Sequence, residues 1–140
     1  MVSRTDGGRR ARPYRRVCWS GPAGPAVWLH SARPLRLYCA DSFAARLLGL
    51  RFWPGWGPYP RGLLLPGCSA VHTLGLAQAL DLIFLDGDGC VMATGFRMPP
   101  GRIVLRRRAQ AVVELPAGYC QRRDWQAQVE AAMRRRKIVV

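Results

Sequence analysis

With 140 residues, 49% of them apolar, the chain is long enough to bury one real core and matches a single domain. Its net charge is +14, from 22 basic and 8 acidic residues, and it has five cysteines but no Cys-x-x-Cys pair. These totals exclude a membrane-spanning helix, since no run approaches ~18 uninterrupted apolar residues, and they leave no zinc pattern for His30 and His72 to complete.

The charge is concentrated at the ends: +5 over residues 1–25, +2 over 26–101 and +7 over 102–140. Residues 1–25, rich in Arg, Gly and Pro, read as a disordered basic arm, and residues 26–140 as the single domain. Basic ends can attract phosphates or anionic surfaces. However, 21 of the 22 basic residues are Arg and no regular aromatic interleaving accompanies them. Solvated, non-specific charge is therefore the plainer reading, and a nucleic-acid site is not expected. The odd cysteine count, without a framework, points to a reducing compartment and a cytoplasmic protein. The alternative is export, with Arg15-Arg16 before VCWSGPAGPAVWLHSA as a signal whose apolar middle is poor.

In chain order, Ala26 to Leu29 reads as a short strand, and Pro34 to Tyr38 as a strand with Leu35 and Leu37 on one side. Asp41 or Ser42 can cap a short helix whose Phe43, Leu47 and Leu50 share a face. Gly49 suits its end, and Arg46 lies on it. FWPGWGPYPRG, from Phe52 to Gly62, is an aromatic loop expected to pack on the body. Strands are expected at Gly62 to Leu65, irregularly at Ser69 to Leu76, and firmly at Asp81 to Leu85. Asp86-Gly-Asp-Gly89 reads as a hairpin turn leading into Cys90 to Phe96. Two further strands follow at Arg102 to Arg106 and Ala111 to Leu115. Asp124 then caps a C-terminal helix with Trp125, Val129, Ala132 and Met133 on its inner face.

Few residues suggest chemistry. Asp86 and Asp88 begin like a calcium loop, but Cys90 and Val91 break the pattern, so no metal or cofactor is expected. Cys68 near His72 lacks any supporting nucleophile sequence and reads as a buried thiol beside a structural histidine. His72, Thr73, Asp81 and Glu114 stand on otherwise apolar strands, where a carboxylate is costly to bury unless it is bonded. With Arg46 they form the candidate set: Arg46, His72, Thr73, Asp81 and Glu114, brought together by folding. Such a cluster either fixes the sheet by hydrogen bonds or receives a ligand group.

The segments ARLLGLR, GLLLPGCSAVHTLGL, ALDLIFLDGDGCV and AVVELPAG, in that order, resemble the family called domain of unknown function 192, with the best match over residues 34–120. The places concerned are Arg46, Gly49, Leu50, Gly62, His72, Thr73, Gly75, Asp81, Asp86, Gly89, Glu114, Leu115, Pro116 and Gly118. The sequence departs from the family at Leu76, at Gln78-Ala79, and at its end, where QRRDWQAQVEAAMRRRKIVV lacks the usual Gly-Asp turn before a closing strand. Either a helix replaces that strand, or Ile138 to Val140 supplies it by a longer route. The resemblance implies an α+β fold, antiparallel and β-rich, like an open barrel, with a short early helix and a C-terminal helix. It implies no established activity, and for some members an association with pilus or secretion functions. The leading expectation is a binding or accessory module for an unknown small ligand or protein partner. The alternatives are a hydrolase-like enzyme using His72 as base and Asp81 as its orienter, and an Arg-rich nucleic-acid binder.

Overall fold

The computed structural model describes residues 34–40, 60–135 and 137–139. The basic arm, the strand expected at Ala26 to Leu29, the early helix with Arg46 and most of the aromatic loop lie outside the described residues. The elements are β1 (Arg36–Ala40), β2 (Arg61–Pro66), β3 (Ala70–His72), β4 (Leu80–Leu85), β5 (Val91–Met98), β6 (Ile103–Leu105) and β7 (Ala111–Pro116). A 3-10 turn (Tyr119–Gln121), helix α1 (Trp125–Arg135) and β8 (Lys137–Val139) complete the order.

Six strands form one mixed sheet in the order β5-β4-β7-β2-β1-β8, and β3 pairs with β6 in a separate two-stranded ribbon. The pairs β4–β5, β4–β7 and β2–β7 are antiparallel, whereas β1 runs parallel to β2 and to β8. The sheet is not closed, and the architecture is α+β and β-rich, as the resemblance implied.

All six residues of β4, LDLIFL, are buried. A run that is apolar on both faces, broken here only by Asp81, arises when both faces of a strand are covered. Ile83 and Leu85 face one side, where they pack with Val113, Leu115 and, from α1, Val129, Ala132 and Met133. Leu82 and Phe84 face the other, with Val112, Leu63, Leu65 and, from the ribbon, Val71. We call these the helix side and the ribbon side. Each fully buried Leu, Val or Met contributes ~1.5–3 kcal/mol by leaving water.

Gly62 is confined by packing. A Cβ there would stand 2.7 Å from Leu115 Cδ2 and 3.1 Å from the Glu114 carbonyl oxygen, so β2 can approach β7 only without a side chain at this point. The DGDG hairpin forms as expected. The Asp86 carboxylate accepts the N–H groups of Asp88 at 2.9 Å and Cys90 at 2.8 Å, and Gly89 takes φ +85°. That carboxylate holds the bend of its own hairpin.

The two strands on either side of Arg107-Arg108 belong to different sheets. A turn closed by the Ala109 N–H on the Arg106 carbonyl (2.8 Å) redirects the chain, and Gln110 then bonds to Leu85 and Gly67. Thus β6 pairs back to β3, and β7 enters the main sheet between β4 and β2. At the C-terminus the second expected alternative occurs, a closing strand reached by a longer route, and the helix precedes that strand without replacing it. Helix α1 covers the core, and Lys137–Val139 then adds to the sheet beside β1, parallel to it.

Candidate functional site

Asp81 is the second residue of β4, and strand alternation turns it to the helix side with Ile83 and Leu85. It is 0% exposed. Its Oδ1 accepts the Arg97 backbone N–H at 2.8 Å, and its Oδ2 accepts the Cys120 backbone N–H at 2.8 Å. Two such charge-assisted bonds offset the cost of taking the carboxylate out of water. Arg97 itself has φ +49°, the one positive value for a non-glycine among the described residues. The β4–β5 register shifts between Leu80 and Leu82, beside this point. Asp81 therefore pins a strained bend of the edge strand and the 3-10 turn onto the central strand.

Glu114, also buried, is the fourth residue of β7. It lies opposite Leu82 and Leu63, which both belong to the ribbon-side core. Asp81 lies opposite Leu115, which belongs to the helix-side core. Residues directly opposite across a ladder share a face, so the two carboxylates project from opposite faces of the sheet. A single step along the strand decides this, because the side-chain period is 2.

Thr73 follows β3 and is buried. Its Oγ1 donates to the Pro99 carbonyl at 2.7 Å and accepts the Arg102 N–H at 2.9 Å. Its own N–H donates to the Arg102 carbonyl at 2.8 Å, and its carbonyl accepts the Gly101 N–H at 3.0 Å. This one residue ties the end of the ribbon to the Pro99–Arg102 turn. His72, paired with Ile103, is half-buried, and its Nδ1 is shielded from solvent with no hydrogen-bond partner among the described residues.

The sheet thus divides the candidate set. His72, Thr73 and Glu114 belong to the ribbon side and Asp81 to the helix side, while Arg46 lies outside the described residues. The expected meeting of Asp81 with His72 and Thr73 is corrected: backbone N–H groups compensate the Asp81 carboxylate. A His72–Asp81 relay has no geometry here, because β4 stands between the ring and the carboxylate. Two partners escaped the sequence reading. Arg97 offered no signal, since its role comes from its backbone. Cys120 could have been suspected only from its place just after the LPAG segment.

Chemistry on the helix side is muted. Burial, and then the charge and hydrogen bond of Asp81, push the Cys120 thiol well above its ordinary value, so it is an inert thiol at neutral pH. Burial also raises the Tyr119 phenol to about 12, opposed by Arg122, whose guanidinium lies 5.2 Å from the ring centroid. The Tyr119 hydroxyl is buried, with no hydrogen-bond partner among the described residues. Since the folded state favours the neutral phenol, its stabilising effect is complete below pH 10. It falls by ~2–3 kcal/mol as pH rises from 10 to about 12. Tyr119→Phe is expected to be neutral or stabilising at pH 7 and to flatten that alkaline loss. Urea titrations at pH 8 and pH 11 check it, and an unchanged alkaline slope refutes it.

Comparison with known proteins places this geometry in context. The model of the family DUF192, described as "Uncharacterized ACR", matches residues 27–131. Among solved structures, a protein of unknown function from Novosphingobium aromaticivorans is similar with a TM-score of 0.54 at 22% identity, covering 62% of this chain and 66% of its own. A candidate transcription regulator from Sinorhizobium meliloti is similar with a TM-score of 0.51 at 22% identity, covering 62% of this chain and 70% of its own. This chain therefore spans just under two thirds of the first relative, and at this identity the likeness is one of fold alone. No curated protein matches the sequence.

Proposed function

This chain belongs to the DUF192 family, and we propose that it acts as a small binding or accessory module whose ligand meets the ribbon side of the sheet at His72. The supporting observation is the His72 Nδ1, buried without a hydrogen-bond partner among the described residues, beside a threonine held by six hydrogen bonds. Buried polar atoms in folded proteins are nearly always paired, and an exception on a rigid support suits a ligand that supplies the missing bond. Depending on its tautomer, the ring nitrogen can donate or accept. Thr73, next to His72 in the chain, and Glu114, buried in the sheet beneath the ribbon, belong to the proposed binding set with Arg46, which lies outside the described residues. Asp81 acts at a distance, by holding the scaffold.

No observation favours the hydrolase reading, since both Asp81 oxygens are bonded to backbone on the far side of β4. The proposal keeps the protein in a reducing compartment, a reading supported by the free thiols of Cys39, Cys68, Cys90 and Cys120. Among the described residues, no helix is long and apolar enough to cross a membrane. A role beside a pilus or secretion apparatus rests on the family resemblance alone. The test is a thermal-shift screen of small alcohols, amides and carboxylic acids against the wild type and His72→Ala. A compound that raises the wild-type midpoint and leaves the variant unmoved supports the reading, because a ligand of the native state stabilises it. Equal shifts in both proteins, or none in either, overturn it.

A further inference from the structure

The β3–β6 ribbon has an inner and an outer face. Val71 and Val104, opposite each other in the ladder, point inward and pack with the ribbon-side core. The outer positions are Ala70 opposite Leu105 and His72 opposite Ile103. Ile103 is 73% exposed, Leu105 50%, and Leu74, just beyond β3, 46%. Two large apolar side chains on the outer face of the ribbon, and a third just beyond β3, therefore stand in water, at an energetic cost that the fold alone does not explain.

Their neighbours in sequence are of one sign, and the nearest acidic turn placed by the structure, Asp86–Gly89, lies beside Gln110 beyond the Arg108 end. Arg102 and Arg106–Arg107–Arg108 flank β6 on both ends and are all exposed. No acidic residue occurs between Cys68 and Leu80 or between Pro99 and Gln110. Among the described residues, none of these four arginines is in an ion pair. Arg106 lies over the Phe84 ring, 5.5 Å from its centroid, and donates to the Leu105 carbonyl, so its cation is held at the foot of the ribbon.

We propose that this ribbon is a peripheral docking surface for an anionic phospholipid bilayer, with Ile103, Leu105 and Leu74 entering the headgroup region and Arg102, Arg107 and Arg108 meeting phosphates. Charge complementarity selects an anionic partner. The exposed apolar side chains favour the bilayer, because Ile103 and Leu105 stand on one face of the ribbon with Leu74 just beyond β3, and a deformable interface accommodates them without a matching pocket. Three side chains cover far less than the ~1,600 Å² of a standard protein interface. A three-residue edge strand also offers too short a ladder for strand addition by an acidic peptide. The proposal uses a different measurement from the His72 ligand reading, with which it shares the outer face of the ribbon, since His72 stands opposite Ile103.

The test is co-sedimentation of the full chain with vesicles of phosphatidylcholine alone, and of phosphatidylcholine mixed with phosphatidylglycerol. The chain is expected to bind the mixed vesicles only. The doubly substituted Ile103→Ser, Leu105→Ser protein keeps every charge and is expected to bind them at least ~10-fold more weakly. Replacing Arg107 and Arg108 by Gln is expected to weaken binding by about 5-fold per residue, with the loss shrinking as salt rises. Both sites are exposed, so thermal midpoints should be unchanged. Should the doubly substituted protein be unstable, Leu74→Ser is expected to show a smaller loss of the same kind. Undiminished binding by the serine variants means that general charge drives adsorption, and it overturns the proposal. So does binding to polyglutamate that depends on Ile103 and Leu105 while vesicle binding does not, which would assign the ribbon to an acidic protein.

Discussion

Asp81→Ala should cost ~3–6 kcal/mol, because two buried backbone N–H groups, those of Arg97 and Cys120, lose a charged acceptor at once. A domain of this size is stable by only ~5–15 kcal/mol, so the variant will lie close to its unfolding threshold. Asp81→Asn should lose less. It retains one acceptor oxygen, but its amide turns a donor toward one of the two N–H groups. The expected order in urea titration is wild type, then Asp81→Asn, then Asp81→Ala. The Cys120 thiol supplies a second readout. Asp81 helps to push it up, so removing the charge should increase its reactivity toward a thiol reagent in the native state. A loss below ~1 kcal/mol in the alanine variant would mean that the strained Arg97 bend is held by other contacts.

Phe84→Ala is expected to cost ~3–5 kcal/mol. The ring is 0% exposed at the centre of the ribbon-side core, where it packs with Leu65, Val112 and Val71. It is also the platform over which the Arg106 guanidinium lies. Truncation therefore opens a cavity and releases the foot of the ribbon together. Phe84→Leu separates the two effects, since it restores most of the volume and none of the aromatic face. Hydrogen exchange should show faster opening at Val71 and Val104 in Phe84→Leu, with protection retained at Val113 and Leu115 on the helix side. Uniform loss of protection across the whole sheet would show that the ribbon has no local stability of its own.

Much of the architecture was legible from residue order. The hairpin at Asp86–Gly89 was readable because Asp-Gly chemistry is local: a short carboxylate reaches N–H groups of its own turn. The inner face of α1 was readable because helical spacing puts Val129, Ala132 and Met133 together in any context. The segment Asp81 to Leu85 was readable as a strand from its apolar run Leu82 to Leu85. Pairing was not. Nothing in the spacing of Ile103 to Leu105 says that it joins β3 and leaves β7 to another sheet. The choice rests on one turn at Arg106–Ala109 and on bonds from Gln110 to residues far away in sequence.

The candidate site shows the same division. That Asp81 and Glu114 are buried, and so require compensation, followed from a carboxylate in each of two apolar strands. Which face each one took did not follow. Asp81 aligns with Leu115 across the ladder, so Glu114, one residue earlier, projects from the opposite face. Register is a property of two strands meeting, and neither strand carries it alone. The sequence by itself determined the composition of the core, the turns and the need to neutralise two buried acids. Only the tertiary structure decided that backbone N–H groups satisfy Asp81, that His72 lies across the sheet from it, and that Ile103 and Leu105 face water. Local chemistry acts over a few residues, whereas the side of a sheet is settled by contacts that the chain makes only once it has folded.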